Sequence, residues 1–314
     1  VTDIHIGTSG WNYPSGRGTW NGLFYPSRRP RGFDELAYYA ERFDTVEVNS
    51  TFYRMPEPGM SRSWIERTPP GFLFSVKLYQ KFTHPDMYLQ RDGVKDWEPT
   101  RDDFDLFRAG IDPLAAAGRL AVVLVQFPES FHADDDARGY LDWLLGALAE
   151  YPLAVELRHR TWHADPGATA ALLAEHGASF ALGDEPFRPL ARERGRDSFS
   201  ATAKKSPDPF YTLYIRLHGR NRGAWWQHET SEDRYNYLYT PDELEPVAEI
   251  ARDAAAEGRR VLLYMNNHFS AKSVANAVIL KRKLGEPIRG DYPPALVDRY
   301  PELEGVVPTS GLPL

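Results

Sequence analysis

Eight short apolar runs with amphipathic stretches between most of them limit what this chain can fold into more than any other feature. The runs are Ile4–Thr8, Thr45–Asn49, Phe72–Lys77, Leu120–Gln126, Leu153–Arg158, Ser179–Gly183, Tyr211–Leu217 and Arg260–Asn266. Their β-branched and aromatic content fits strands buried on both faces. Helical spacing recurs between them, at Leu36, Ala40 and Phe43, at Leu141, Leu144, Leu145 and Leu148, and at Leu244, Val247, Ala248 and Ala251. Thr240 offers a cap, Pro241 suits a first helical position and Glu243 completes a capping box. Asp165–Pro166 offers a similar start, and a last helix over about Ala271–Leu284 is predicted to stop before Gly285 and Pro287. Strand alternating with helix implies a parallel sheet, and eight strands favour closure into one (β/α)8 barrel. No G-x-G-x-x-G follows the first strand, which argues against a dinucleotide fold.

The length of 314 residues suits one such barrel over 1–285, with the Pro-containing remainder, 286–314, expected to pack on it as an extension. The absence of cysteine excludes disulfides, iron–sulfur clusters and a thiol nucleophile. A net charge of −7 disfavours bulk attraction to a nucleic-acid backbone, so nucleic acid is not the favoured partner. No apolar run is long enough for a membrane span, and a strand pattern begins at once without a signal peptide, so a cytoplasmic location is expected. Four stretches break the rhythm: Gly10–Arg31, Tyr79–Pro99, Pro186–Pro209 and the aromatic-rich Asn221–Tyr239. All follow a strand, where a barrel builds its site.

Alternation along a barrel strand sends one set of side chains to the helices and the other to the axis. With the valines of Thr45-Val46-Glu47-Val48-Asn49 outward, Glu47 and Asn49 point inward together. The same logic sends Glu156 and Arg158, and Arg216 and His218, into the cup. Lys77, Gln126, Asp184, Asn266 and Asn267 end other strands. Buried charges are costly unless paired or used. They serve either as internal salt bridges, such as Glu156 with Arg158 or Arg216, or as a site. For a site, Lys77, Arg158 and Arg216 suit a carboxylate or phosphate. Glu47, Glu156, Asp184 and His218 are acid–base candidates, with His159 a further imidazole beside the substrate. Trp11, Tyr13, Tyr53 and Trp162 can wall the pocket.

His84, His159, His218 and His268 lie near different strand ends, without the close spacing of H-E-x-x-H, and the cations of the cup repel a divalent ion. No metal and no cofactor are therefore expected. Glu47 and Glu156 as a glycosidase pair come from strands two and five, well apart around the ring.

The segments Gly7-Thr8-Ser9-Gly10-Trp11-Asn12-Tyr13-Pro14, Glu47-Val48-Asn49-Ser50-Thr51-Phe52-Tyr53, Phe74-Ser75-Val76-Lys77 and Gln126-Phe127-Pro128 resemble the domain of unknown function 72 (YecE-like) family. So do Glu156-Leu157-Arg158-His159 with Trp162, Arg216-Leu217-His218-Gly219-Arg220 and Met265-Asn266-Asn267-His268. The resemblance runs from about Ile4 to Leu284. It implies a TIM barrel and no established activity. Barrels of the family are similar in shape to endonuclease IV and sugar isomerases, metal enzymes whose set of histidines has no match here. Two parts stand out from the family pattern, the aromatic insert from Trp225-Trp226 to Tyr239 and the tail beyond Leu284. The leading expectation is a metal-independent enzyme acting on a small anionic substrate, such as a phosphorylated or acidic sugar or a nucleotide-like compound. A nucleic-acid processing barrel and a non-catalytic ligand-binding module are the alternatives. Loss of Glu47 or Arg216 is expected to abolish turnover while sparing the fold.

Overall fold

The computed structural model describes residues 3–91, 93–186, 190, 212–223 and 231–309. Eight strands, β1 (Ile4–Thr8), β2 (Thr45–Val48), β3 (Leu73–Lys77), β4 (Leu120–Gln126), β5 (Leu153–Glu156), β6 (Ser179–Asp184), β7 (Thr212–Leu217) and β8 (Arg260–Met265), form one parallel sheet. The order β1-β8-β7-β6-β5-β4-β3-β2 returns on itself, because an isolated parallel bridge joins Ser9 to Glu47. Among the described residues helices lie between most of the strands, and the architecture is a nearly closed (β/α)8 barrel of the TIM type. Trp225, Trp226 and nearly all of 186–209 lie outside the described residues.

Strand alternation separates two apolar layers. Val46, Val48, Val123, Val125, Ile215, Leu217, Leu263 and Met265 join the large core between sheet and helices. Leu73, Val122, Leu124, Ala154, Ala181, Tyr214, Leu262 and Tyr264 fill the barrel itself. Helix boundaries follow local chemistry. Thr240 accepts from the Glu243 backbone N–H while the Glu243 carboxylate accepts from the Thr240 N–H, opening Pro241–Ala256. Asp165 caps Pro166–Glu175 through the Ala168 N–H. Lys272–Leu284 ends on Gly285, whose φ of 72° is the left-handed conformation that glycine adopts without steric cost. Beyond it, Tyr292, Leu296, Tyr300 and Leu303 are buried in the same core as the barrel helices.

The seam between β1 and β2 has its own device. A Cβ at Gly7 would sit 2.2 Å from the Thr45 carbonyl oxygen, so only glycine permits this approach. The Tyr39 hydroxyl then stands in the ladder, accepting from the Thr8 N–H at 2.9 Å and donating to the Thr45 carbonyl at 3.0 Å. Backbone groups that a regular pairing would satisfy are thus satisfied by a side chain. Among the described residues no helix is long and apolar enough to cross a membrane.

Candidate functional site

Arg216, buried on β7 at the C-terminal end of the barrel, organises the cup. Its Nε and Nη2 donate to the two oxygens of Glu47, each at 2.8 Å, and its Nη1 donates to Glu156 Oε2 at 2.6 Å. Tyr214, one inward position earlier, donates to Glu47 Oε2 at 2.7 Å. Arg158 donates from Nε to Glu156 Oε1 at 2.7 Å. Below this tier the Tyr264 hydroxyl bonds Ser75 Oγ at 2.8 Å and Thr45 Oγ1 at 2.6 Å. Burial alone would raise both glutamates. The guanidinium of Arg216, joined by Tyr214 at Glu47 and by Arg158 at Glu156, outweighs it and holds both carboxyls below the ordinary range, Glu156 well below.

This arrangement corrects three expectations. One guanidinium spans Glu47 and Glu156, so they are not kept well apart by their positions in the ring. The cup is not an excess of positive charge, because carboxylates neutralise its arginines. Arg216 is committed to two carboxylates and its side chain is 2% exposed; the Arg158 side chain, at 24%, is the more accessible of the two. The salt-bridge reading and the cup reading therefore describe the same residues.

His218 is fully buried beside this network. The Asn266 amide donates to its Nδ1 at 2.9 Å, which places the ring proton of the neutral imidazole on Nε2. Among the described residues Nε2 has no hydrogen-bond partner, and it lies 3.8 Å from Glu156 and 4.0 Å from Glu185. Burial and the nearby Arg216 charge lower its pKa, so the ring is neutral at pH 7. Lys77 closes β3 with its Nζ 3.9 Å from the Phe52 ring centroid. Burial, then the charges of Arg216 and Arg158, lower its pKa to about 7. Gln126 is buried, bonded to the Phe127 carbonyl and 3.4 Å from His84.

At the rim, Tyr13 stacks on His268 at 4.3 Å, and Tyr235 covers another part of that ring at 4.9 Å. Tyr53 is 63% exposed and Asn49 half-buried at the end of β2. Trp11 packs edge-on against Trp64.

Four expected members stand elsewhere. Asp184 shares the outward parity of Phe180 and Leu182, accepts two bonds from Arg220 and one from the Tyr239 hydroxyl, each at 2.8 Å, and takes the Leu190 N–H. Its neighbour Glu185 is the one that reaches Arg158 and His218. Counting inward from Ala181 and Gly183 leads to Glu185, so the signal was present in the alternation. Asn267 likewise turns outward, donating to the Tyr237 carbonyl and to Asn276. Trp162 is buried in the core with its N–H on the Phe131 carbonyl. His159 caps a short turn and stacks on His132 at 3.8 Å. Tyr214, Tyr264 and Ser75 were missed, though the same alternation points to them.

Glu156, Glu185 and His218 each present a ligand atom within 4.8 Å of one another, close enough for a cation. Both Glu156 oxygens already accept from guanidinium groups, and Arg158 Nε is 3.5 Å from Glu185 Oε1. A divalent ion there would sit beside two fixed positive charges, so the donor set fits a metal poorly. Of the four histidines near the strand ends, only His218 belongs to this cluster.

Residues 5–296 match the family described as protein of unknown function DUF72. UPF0759 protein YunF of Bacillus subtilis is 27% identical over 279 residues, covering 87% of this chain and 92% of its own. UPF0759 protein YecE of Escherichia coli is 27% identical over 76% of this chain and 87% of its own. A DUF72 family protein of Thermotoga maritima superposes with a TM-score of 0.68 at 30% identity, over 90% of this chain and 99% of that one. One from Enterococcus faecalis gives 0.70 at 19% identity over 92% and 99%, a likeness of fold alone.

Proposed function

This chain belongs to the DUF72 family of proteins of unknown function, and from that premise and the chemistry of its cup we propose that it is a metal-independent enzyme acting on a small anionic substrate. The observation that carries the reading is His218: a fully buried neutral imidazole whose Nε2–H has no hydrogen-bond partner among the described residues. A donor held without a partner in a water-poor site costs stability unless a ligand oxygen completes it. A neutral imidazole of this kind polarises a carbonyl or phosphoryl oxygen without giving up a full proton.

Arg158, the more accessible of the two arginine side chains, receives the anionic group. Glu47, Arg216 and Glu156 form a rigid charged floor that fixes the other groups, rather than exchanging protons themselves. Lys77 changes protonation state near neutrality and supplies the base. A phosphorylated or carboxylated sugar-sized compound suits these groups.

The test is incubation with a pool of phosphorylated and carboxylated metabolites, followed by mass spectrometry. The wild-type protein should consume at least one anionic compound. His218→Leu, which removes the donor, should lower kcat by about 10²–10³-fold. Failure of the wild-type protein to consume any compound, or an unimpaired His218→Leu variant, overturns the reading.

A further inference from the structure

We propose that Lys77 is a covalent site: its ε-amine condenses with the aldehyde or ketone of a small anionic substrate to form an imine, while Arg158 receives the anionic group. This rests on the functional reading above, narrows it to carbonyl compounds and makes Lys77 the nucleophile in place of the base.

The geometry separates Lys77 from the other cations of the cup. Arg158 and Arg216 are paired with carboxylates, whereas the Lys77 amine rests on the face of Phe52 and forms no ion pair or hydrogen bond with the described residues. The carboxylates that would otherwise hold an ammonium, Glu47 and Glu156, are already taken by guanidinium groups. An apolar seat beside fixed positive charge is the setting in which a lysine becomes a nucleophile. The groups that act on Lys77 are Arg216 and Arg158, which disfavour its protonation, and Glu156 and Glu47, which oppose them; the Lys77 charge in turn acts on His84. Burial adds to the arginines, and the amine titrates at about 7, so it is substantially unprotonated at neutral pH. A lysine needed only to hold an anion gains nothing from such a setting.

In the step itself, the Nζ lone pair attacks the carbonyl carbon and the C–O π pair moves to oxygen. A proton passes from nitrogen to that oxygen to give the carbinolamine. Protonation of the hydroxyl then expels water, and the nitrogen lone pair forms the C=N bond. That proton comes from solvent, so the sum is amine plus carbonyl plus one proton giving protonated imine plus water, with no oxidant or reductant. The charge of the protonated imine falls near Glu156 and Glu47, and the His218 Nε2–H is the donor available to the departing oxygen.

The experiment is reductive trapping at pH 7 with sodium borohydride and either pyruvate or glyceraldehyde 3-phosphate, with peptide mapping. Lys77 should be labelled at least about tenfold faster than the exposed Lys95, reflecting the lowered pKa of Lys77. Lys77→Met keeps the length of the side chain without an amine or a charge, and should abolish trapping and turnover while unfolding at the wild-type urea midpoint. Labelling of Lys77 no faster than of Lys95 overturns the inference. So does turnover of a metabolite that survives borohydride or the Lys77→Met change; a His218-dependent turnover of that kind leaves the functional reading standing. Trapping at Lys77 without consumption of any metabolite supports the imine and removes the enzyme.

Discussion

At the scale of single residues, the paired charges decide what mutation can reveal. Glu47 and Arg216 are 0% and 2% exposed and bonded through both carboxylate oxygens. Glu47→Ala leaves the Arg216 charge buried with one of its two partners missing, and should cost about 3–5 kcal/mol of stability in urea unfolding. The buried ion pair thus argues against emptying this position without harm to the fold. His218→Leu and Lys77→Met are the cleaner probes of chemistry, since neither opens an ion pair among the described residues that is bonded as closely as Glu47 with Arg216. The inward positions of Glu47, Glu156, Arg158, Arg216 and His218 were legible from alternation alone. Asp184 was misread for its neighbour because two adjacent acids follow Gly183 at the strand end, and only a count of parity separates them. Trp162 was misplaced for a different reason: whether a large ring walls a pocket or fills a core depends on neighbours distant in sequence, here Phe131.

At the scale of elements, the β1–β2 seam carries the clearest prediction. Tyr39→Phe removes the hydroxyl that receives the Thr8 N–H and reaches the Thr45 carbonyl, and leaves buried backbone groups without partners. It should destabilise by about 1–3 kcal/mol, measured as a shift in urea midpoint without change in slope. Gly7→Ala forces a Cβ against the same carbonyl and should exceed it. The cap at Thr240 is a more ordinary case, and Thr240→Ala should cost about 1 kcal/mol. That cap, the Asp165 start and the Gly285 stop were readable because each depends on side chains within a few residues. The tyrosine in the ladder was not, because its partners lie at Thr8, 31 residues away, and at a carbonyl exposed by the strand splay.

At the scale of the whole molecule, buried titrating groups set the dependence of stability on pH. His268 and His84 are lowered from 6.5 to about 4 and about 3 by burial, with the Lys77 charge adding at His84, and His218 is lowered as well. The unfolded chain takes up these protons first, so stability is lost as pH falls below 6.5. Glu47 and Glu156, held below 4.5, contribute fully above that value and lose their contribution as pH falls through the folded range. His5 has the opposite sign: burial is outweighed by Asp44 and Asp3, its pKa rises, and its contribution fades above 6.5. Urea midpoints should therefore fall in two stages between pH 7 and pH 3, and a flat profile over that range contradicts the burial of these groups. The sequence by itself determined the eight-strand barrel, most helix ends and the identity of the inward charges, because periodicity and capping are local and repeat. Tertiary structure alone decided that one guanidinium would bind carboxylates from β2 and β5, that Lys77 would be left on an aromatic face, and that the cup would be nearly neutralised. Those outcomes depend on distances across the closed barrel, and no spacing along the chain encodes them.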